Sequence, residues 1–307
     1  MPIAFLCPGQ ASQRVGMGYD LYNNTDLGKK YFDIANEIMN VDIKDIIFNG
    51  PEEQLKQTQF TQPAIYIVSV IIGELLINKG IKPTCAAGHS LGEYSALALG
   101  KSFDFTTGLE LVKIRSEAMQ NACALNKGTM AAVIGLQDDK IIKICQSHNN
   151  EGIVVAANFN AKAQVVISGE SKAIKSIIPL MKEAGALKVV ELNVSGAFHS
   201  PLMSSAKKIL SDKLLSINIK DSSFPIYSNV TALPISNSDE IKNALIDQLD
   251  SPVLWHQSIT QMINDGFKNA VEVGPGRVLQ GLTKRIDRSL NMNGVESHEQ
   301  IVNFKHV

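Results

Sequence analysis

A short apolar run, Ile3 to Cys7, is cut off by Pro8-Gly9, and this pattern predicts a small buried strand. A polar loop follows from Gln10 to Gly18, and residues 28–39 have helical spacing. Thr61-Gln62-Pro63 opens a long apolar segment, predicted as a helix over 63–78 with Pro63 in its first turn and Gly80 at its end. Thr84–Ala87 reads as a second strand, Gly88-His89-Ser90-Leu91-Gly92 as a tight turn, and 91–99 as a helix closed by Gly100. Another helix covers about 106–122. Strands alternating with helices predict a parallel α/β sheet.

The pattern changes at Lys127-Gly128. Thr129–Gly135 reads as a strand, Asp138–Ser147 as a helix, and Ile153–Asn158 with Gln164–Ser168 as a strand pair. A helix over Ser171–Ala184 and a strand over Leu187–Leu192 follow. That order, βαββαβ, is ferredoxin-like. Two units are therefore expected. Residues 1–126 and 197–307 form a large α/β subdomain with an α/β-hydrolase-like core and a parallel sheet. Residues 127–196 form an inserted small ferredoxin-like subdomain. The last part is mixed α/β, with strands near Phe224–Ser228 and Ala270–Val273, and the final dozen residues read as a loose polar tail.

Composition narrows the function. The 307 residues are 45% hydrophobic and 19% charged, with a formal net charge of −1, so neither a general nucleic-acid binder nor a polybasic membrane protein is indicated. The apolar stretch Ala64–Ile77 contains Glu74 and is shorter than the roughly 20 residues of a membrane span. The opening apolar run is too short for a signal peptide and has no basic residue before it. Cys7, Cys85, Cys123 and Cys145 are widely spaced, which suits reduced thiols, and no zinc-type Cys/His spacing occurs. A cytoplasmic monomer is expected, without metal, membrane or nucleic acid.

Gly88-His89-Ser90-Leu91-Gly92 fits G-x-S-x-G, the nucleophile elbow, and stands between a predicted strand and a predicted helix. A sharp turn there exposes the serine hydroxyl, and the helix N-terminus offers N–H groups, that of Leu91 first, to a developing oxyanion. A serine nucleophile needs a proton acceptor, usually histidine. Of His89, His148, His199, His256, His298 and His306, His89 should face away from Ser90 by strand alternation, His148 ends a small-unit helix, and the last two lie in the tail. His199, on a loop after a strand, leads, with His256 second. Arg115 has Leu111, Val112, Ala118 and Met119 as helical neighbours, so it lies on an apolar face. A buried guanidinium needs an anionic or richly hydrogen-bonding partner. From the residues alone, an internal ion pair with Glu93 or Glu117 is the first reading.

Five blocks in order carry a family resemblance. Gly88 to Tyr94 is similar to the GHSLGE(Y/F) signature of acyl-carrier-protein transacylases, and Phe5 to Gln13 resembles their F-x-x-PGQGSQ opening, with Ala11 where glycine is usual. Gln164 to Gly169, Ala197 to Ser200 and Val273 to Gly276 match further blocks, so the likeness spans nearly the whole chain. It implies transfer of malonyl from malonyl-CoA, with CoA as product, to the phosphopantetheine thiol of an acyl carrier protein. The route is ping-pong through malonyl-Ser90, supplies fatty acid synthesis, and requires no cofactor. It places the catalytic histidine at His199 and the imidazole support at Gln248, by a backbone or amide carbonyl. It places the second oxyanion donor at the Gln10 N–H, and the partner of the malonyl carboxylate at Arg115. Phe198 is associated with malonyl over methylmalonyl use. Asn158 and Gln164 are candidates for acyl or pantetheine contact. Lys113, Lys188 and Arg277 are candidates for a basic rim that meets an acidic carrier. The rivals are a serine thioesterase or hydrolase, a non-catalytic carrier-docking module with a relic site, and a transacylase of polyketide assembly.

Overall fold

The computed structural model describes residues 2–305. Strand β1 (Ala4–Cys7) is followed by helices α1 (Tyr19–Asn24), α2 (Asp26–Met39), α3 (Ile43–Asn49), α4 (Glu52–Leu55) and α5 (Thr58–Asn78). Then come β2 (Cys85–Gly88), α6 (Gly92–Leu99) and α7 (Phe105–Leu125). The next stretch is β3 (Gly128–Ile134), α8 (Asp138–His148), β4 (Val154–Ala161), β5 (Gln164–Glu170), α9 (Ser171–Glu183) and β6 (Lys188–Glu191). The chain ends with α10 (Ser204–Ser216), β7 (Ile226–Tyr227), β8 (Pro234–Ile235), α11 (Ser238–Asp247), α12 (Trp255–Asn264), β9 (Asn269–Val273), α13 (Val278–Ile286), β10 (Asn291–Val295) and α14 (His298–Asn303).

Six strands form the larger sheet in the order β10-β9-β1-β2-β7-β8. All neighbours are parallel except β8, which turns back on β7. β1 and β2 are buried along their whole length, as strands covered on both faces must be. Alternation divides their side chains. Phe5, Cys7 and Ala86 join the core beneath α5, α6 and α7, while Ala4, Leu6, Cys85 and Ala87 pack with Trp255, Ile259 and Leu279. The smaller sheet is antiparallel, in the order β4-β5-β3-β6. That is the ferredoxin-like arrangement, with α8 and α9 closing a core of its own around Ile141, Ile167 and Ile174. Backbone bonds link the two sheets' surroundings: Val253 N–H donates to Ala157 C=O at 2.8 Å and Phe159 N–H to Val253 C=O at 2.9 Å.

Two expectations need correction. The long apolar helix begins at Thr58, so Pro63 sits inside it rather than in its first turn. Proline has no N–H to give the carbonyl four residues back, and Ser116 Oγ approaches that carbonyl, on Gln59, at 3.5 Å. α5 has the length and composition of a membrane span, yet 78% of its most apolar window is buried inside the fold. The polar tail is also ordered as far as α14 (His298–Asn303). β10 pairs with β9, Ser297 caps α14 through Gln300 N–H, and Ile301 is buried. Lys79 Nζ donates to Ile301 C=O at 2.7 Å.

Candidate active site

Parallel neighbours end at the same sheet edge. Cys7 lies opposite Gly88, so the loop after β1 (Gly9, Gln10, Ala11) meets the turn after β2 (Ser90, Leu91). The connections leaving β1 and β9 run to opposite sides, which opens a crevice at the carboxyl ends of the strands. The turn itself is forced. A Cβ on Gly88 would lie 1.8 Å from the Gly92 carbonyl carbon, and one on Gly92 would lie 2.0 Å from the Cys7 carbonyl oxygen. Ser90 takes a φ of 52°, a left-handed conformation that costs a non-glycine residue about 1–3 kcal/mol. His199 also has positive φ, at 55°.

Ser90 Oγ lies 2.8 Å from His199 Nε2. His199 Nδ1 is 2.8 Å from the backbone carbonyl of Gln248. A carbonyl only accepts, so Nδ1 carries the proton and Nε2 is left to accept from the serine hydroxyl. Burial, and then the Arg115 charge, push the His199 pKa down to about 3, opposed by the Gln248 bond. The imidazole is therefore neutral at neutral pH and competent to take a proton. Among the described residues, the N–H groups of Gln10 and Leu91 donate to no protein acceptor. Both residues line one cavity of about 260 Å³ together with Ser90, His199 and Phe198.

Arg115 is fully buried. Its Nη2 donates to Ser90 Oγ and to Gln248 Oε1, both at 3.0 Å, and its Nη1 donates to Gln62 Oε1 at 2.6 Å. The guanidinium lies 5.5 Å from the Tyr94 ring centroid. The ion pair with Glu93 or Glu117 expected from the residues alone does not form: no ion pair among the described residues includes Arg115. The Gln248 amide stands between instead, its Nε2 donating to Glu93 Oε2 at 2.5 Å and to Ser90 C=O at 2.9 Å. Burial raises the Glu93 pKa to about 7, against the lowering effect of its bonds to Gln248 and Asn229. Burial also lowers the Arg115 pKa, but a guanidinium starts high enough to stay charged. The result is a buried cation beside a hydroxyl, held by neutral amides, with Nε unpartnered. Such a site favours a carboxylate.

The sequence model of the acyl transferase domain matches residues 4–302. The chain belongs to the acyl transferase family. It is 40% identical over 300 residues to the malonyl CoA-acyl carrier protein transacylase of Bacillus subtilis, covering 97% of this chain and 95% of that one. The crystal structure of an acyl carrier protein S-malonyltransferase from Vibrio cholerae superposes with a TM-score of 0.95 at 38% identity, covering 99% of this chain and 100% of the other. A malonyl-transacylase solved in complex with its type II PKS acyl-carrier protein superposes with a TM-score of 0.94 at 36% identity, covering 98% of each chain.

In this acyl transferase, the nine residues proposed for catalysis, the oxyanion and acyl contact lie at one place. Ser90, Leu91, Gln10, His199, Phe198, Asn158 and Gln164 line the cavity, and Arg115 and Gln248 stand behind Ser90. The Gln164 amide is partly engaged, its Oε1 accepting from Arg285 at 2.6 Å. Gln248 holds the imidazole through its backbone, so its side chain is free to organise Arg115. His89 departs from expectation. It lines the cavity with Ser90 instead of facing away, and its Nε2 lies 2.8 Å from Asn160 Oδ1. Strand alternation stops at Gly88, so it does not govern the turn. His256 does not line the cavity, His148 is bonded to Ser176 Oγ at 2.7 Å, and His306 lies outside the described residues. Of the basic candidates, Lys113 is tied to Ile38 C=O at 2.9 Å and Lys188 is on β6. Arg277 is the N-cap of α13, whose Val278, Leu279 and Leu282 wall the cavity, but it lines a neighbouring cavity with Lys284 and Arg288. Gln62, Asn160 and Asn229 carry polar contacts at the site that sequence reasoning missed. A lone amide has no motif.

Proposed function

We propose that the protein transfers malonyl from malonyl-CoA to the phosphopantetheine thiol of an acyl carrier protein, through a malonyl ester on Ser90. One observation carries this reading. Arg115, buried and without a carboxylate partner, lies 3.0 Å from the Ser90 hydroxyl, where the free carboxylate of a malonyl ester would reach it. An acetyl group has nothing to offer that cation. The malonyl transacylases to which the chain is similar agree.

In the first half-reaction Ser90 Oγ gives its proton to His199 Nε2 and attacks the thioester carbonyl. The Gln10 and Leu91 N–H groups receive the oxyanion. The C–S bond breaks, and CoA sulfur takes the proton back from His199. In the second half the carrier thiol gives its proton to His199, its sulfur attacks the ester, and Ser90 leaves with that proton. A neutral carbonyl behind Nδ1 stabilises imidazolium less than a carboxylate would, which thioester chemistry tolerates because a thiol leaves easily. Arg115 must turn part of its hydrogen bonding from Ser90 to the substrate carboxylate. That shift frees the nucleophile and offsets the charge that depresses His199. Phe198 narrows the cavity against a branch at C2. Arg277 marks the side from which an acidic carrier approaches.

On this reading the enzyme is a cytoplasmic monomer that supplies fatty acid synthesis and uses no cofactor beyond its CoA substrate. The buried free thiols of all four cysteines suit a reducing compartment. Incubation with malonyl-CoA, followed by mass mapping, should place one malonyl group on Ser90 that leaves on addition of carrier protein. Release of free malonate as fast as transfer would make the protein a thioesterase instead.

A further inference from the structure

We infer that Asn229 is a positioning residue for the nucleophile, an inference that rests on Ser90 being the acylated group. Asn229 follows β7, which runs parallel to β2 with Tyr227 opposite Ala87. Its side chain is fully buried and bonded on both sides of the elbow. Asn229 Oδ1 accepts the Ser90 N–H at 2.7 Å, and Asn229 Nδ2 donates to the Gly88 carbonyl at 2.6 Å. Its own backbone is anchored as well: its N–H donates to Glu93 Oε1 at 3.4 Å and its C=O accepts the Leu254 N–H at 2.8 Å.

The consequence is geometric. Asn229 holds the planar peptide before Ser90 at its N–H, and Gln248 Nε2 holds the peptide after it at the Ser90 carbonyl, at 2.9 Å. With both planes held, φ and ψ of Ser90 are set, and with them the direction of Cβ from which Oγ meets His199 Nε2. Ser90 stays in its left-handed conformation because structure 139 residues away over-determines it. The same bond removes the Ser90 N–H from the donors an oxyanion can use, and leaves those of Gln10 and Leu91. Asn229 is not among the residues that line the cavity. It acts through Ser90, so its loss should slow acylation without weakening malonyl-CoA binding.

The test uses the full chain with two substitutions. Asn229→Ala removes both bonds. Asn229→Asp keeps the shape and the acceptor for Ser90 N–H, but loses the donor to Gly88. Single-turnover malonylation is followed by intact mass, with the loadable fraction measured at long times. The rate per loadable site should fall about 10- to 100-fold in Asn229→Ala and by a smaller factor in Asn229→Asp, with KM for malonyl-CoA within about twofold. The inference is overturned if either variant loads fewer molecules while each loadable site reacts at the wild-type rate, because the residue then serves folding alone. A raised KM with unchanged kcat overturns it too. Should Asn229→Ala not fold, Asn229→Asp carries the same decision. Wild-type label mapping away from Ser90 would instead defeat the underlying reading of the nucleophile.

Discussion

The two sheets contribute to the site in different ways. The parallel sheet supplies Ser90, the Gln10 and Leu91 N–H groups and, through Asn229, the brace on the elbow. The antiparallel sheet supplies Met130, Asn158, Gln164 and Val166, which line the cavity but make no hydrogen bond with Ser90 or His199 among the described residues. Their backbones explain the difference. Parallel strands end in loops that need not turn back at once, and here those loops hold residues in left-handed conformations that re-aim N–H groups and a hydroxyl. The small antiparallel sheet presents side chains from a face, with β4 bulged out of register at Ala156/Asn158 and Phe159/Ala161. The first sheet should therefore govern kcat, and the second KM.

Ser90→Ala should break the comparison most severely, with transfer falling by about 10⁴-fold or more and no malonyl adduct in intact mass. Labelling that survived would move the nucleophile elsewhere. Arg115→Ala should cut kcat/KM for malonyl-CoA by about 10- to 100-fold, the loss of charge-assisted hydrogen bonds, and bring acetyl transfer to a comparable level. An unchanged acyl preference would make Arg115 purely structural.

The pH profile sharpens the electrostatic side. His199 works only unprotonated, and its pKa is lowered to about 3. Activity should therefore hold as pH falls through about 6.5, the ordinary histidine value, and decline only toward the folded value. Because the unfolded imidazole takes its proton first, His199 contributes stability above about pH 6.5 that is lost progressively as pH falls toward about 3. Arg115→Ala removes one cause of the depression, so its acidic limb should move upward. A wild-type limb near 6.5 would mean a solvated imidazole.

Asn158→Ala, on the smaller sheet, should raise KM for malonyl-CoA several-fold, about the value of one hydrogen bond, and leave the rate of acylation from saturating substrate nearly unchanged. A collapse of kcat there would erase the division of labour between the sheets. The smallest effect belongs to Ala11, a non-glycine residue with a φ of 82°. Ala11→Gly relieves that strain but loosens the unfolded chain, for a net gain of up to about 1 kcal/mol by thermal unfolding.

Legibility along the chain followed the strength of local signals. Up to Leu192, apolar runs bounded by glycine and proline marked most strands and helices in order. α1, α3 and α4 are short, and β10 reads Asn-Met-Asn-Gly-Val, an edge strand without apolar alternation. Such pieces are stabilised by what they pack against, so periodicity alone does not reveal them. In the site, Ser90 was legible because a tight turn imposes glycines at fixed offsets, and Arg115 because a charge on an apolar helical face is an anomaly. Elimination put His199 ahead of His256, and the family resemblance assigned it the catalytic place. Asn229 left no signal, since its partners lie 139 and 141 positions away.

By itself, then, the amino-acid order determined the local geometry: a strand, a forced turn and a helix that expose one hydroxyl, and a helix that must bury a guanidinium. Strand order and packing alone decided that the imidazole of residue 199, the carbonyl of residue 248 and that guanidinium converge on the hydroxyl, and that among the described residues no carboxylate forms an ion pair with the cation. Short-range sterics act between neighbours in the chain, whereas a receptor for an anion arises only where distant segments close around a charge and leave it unpaired.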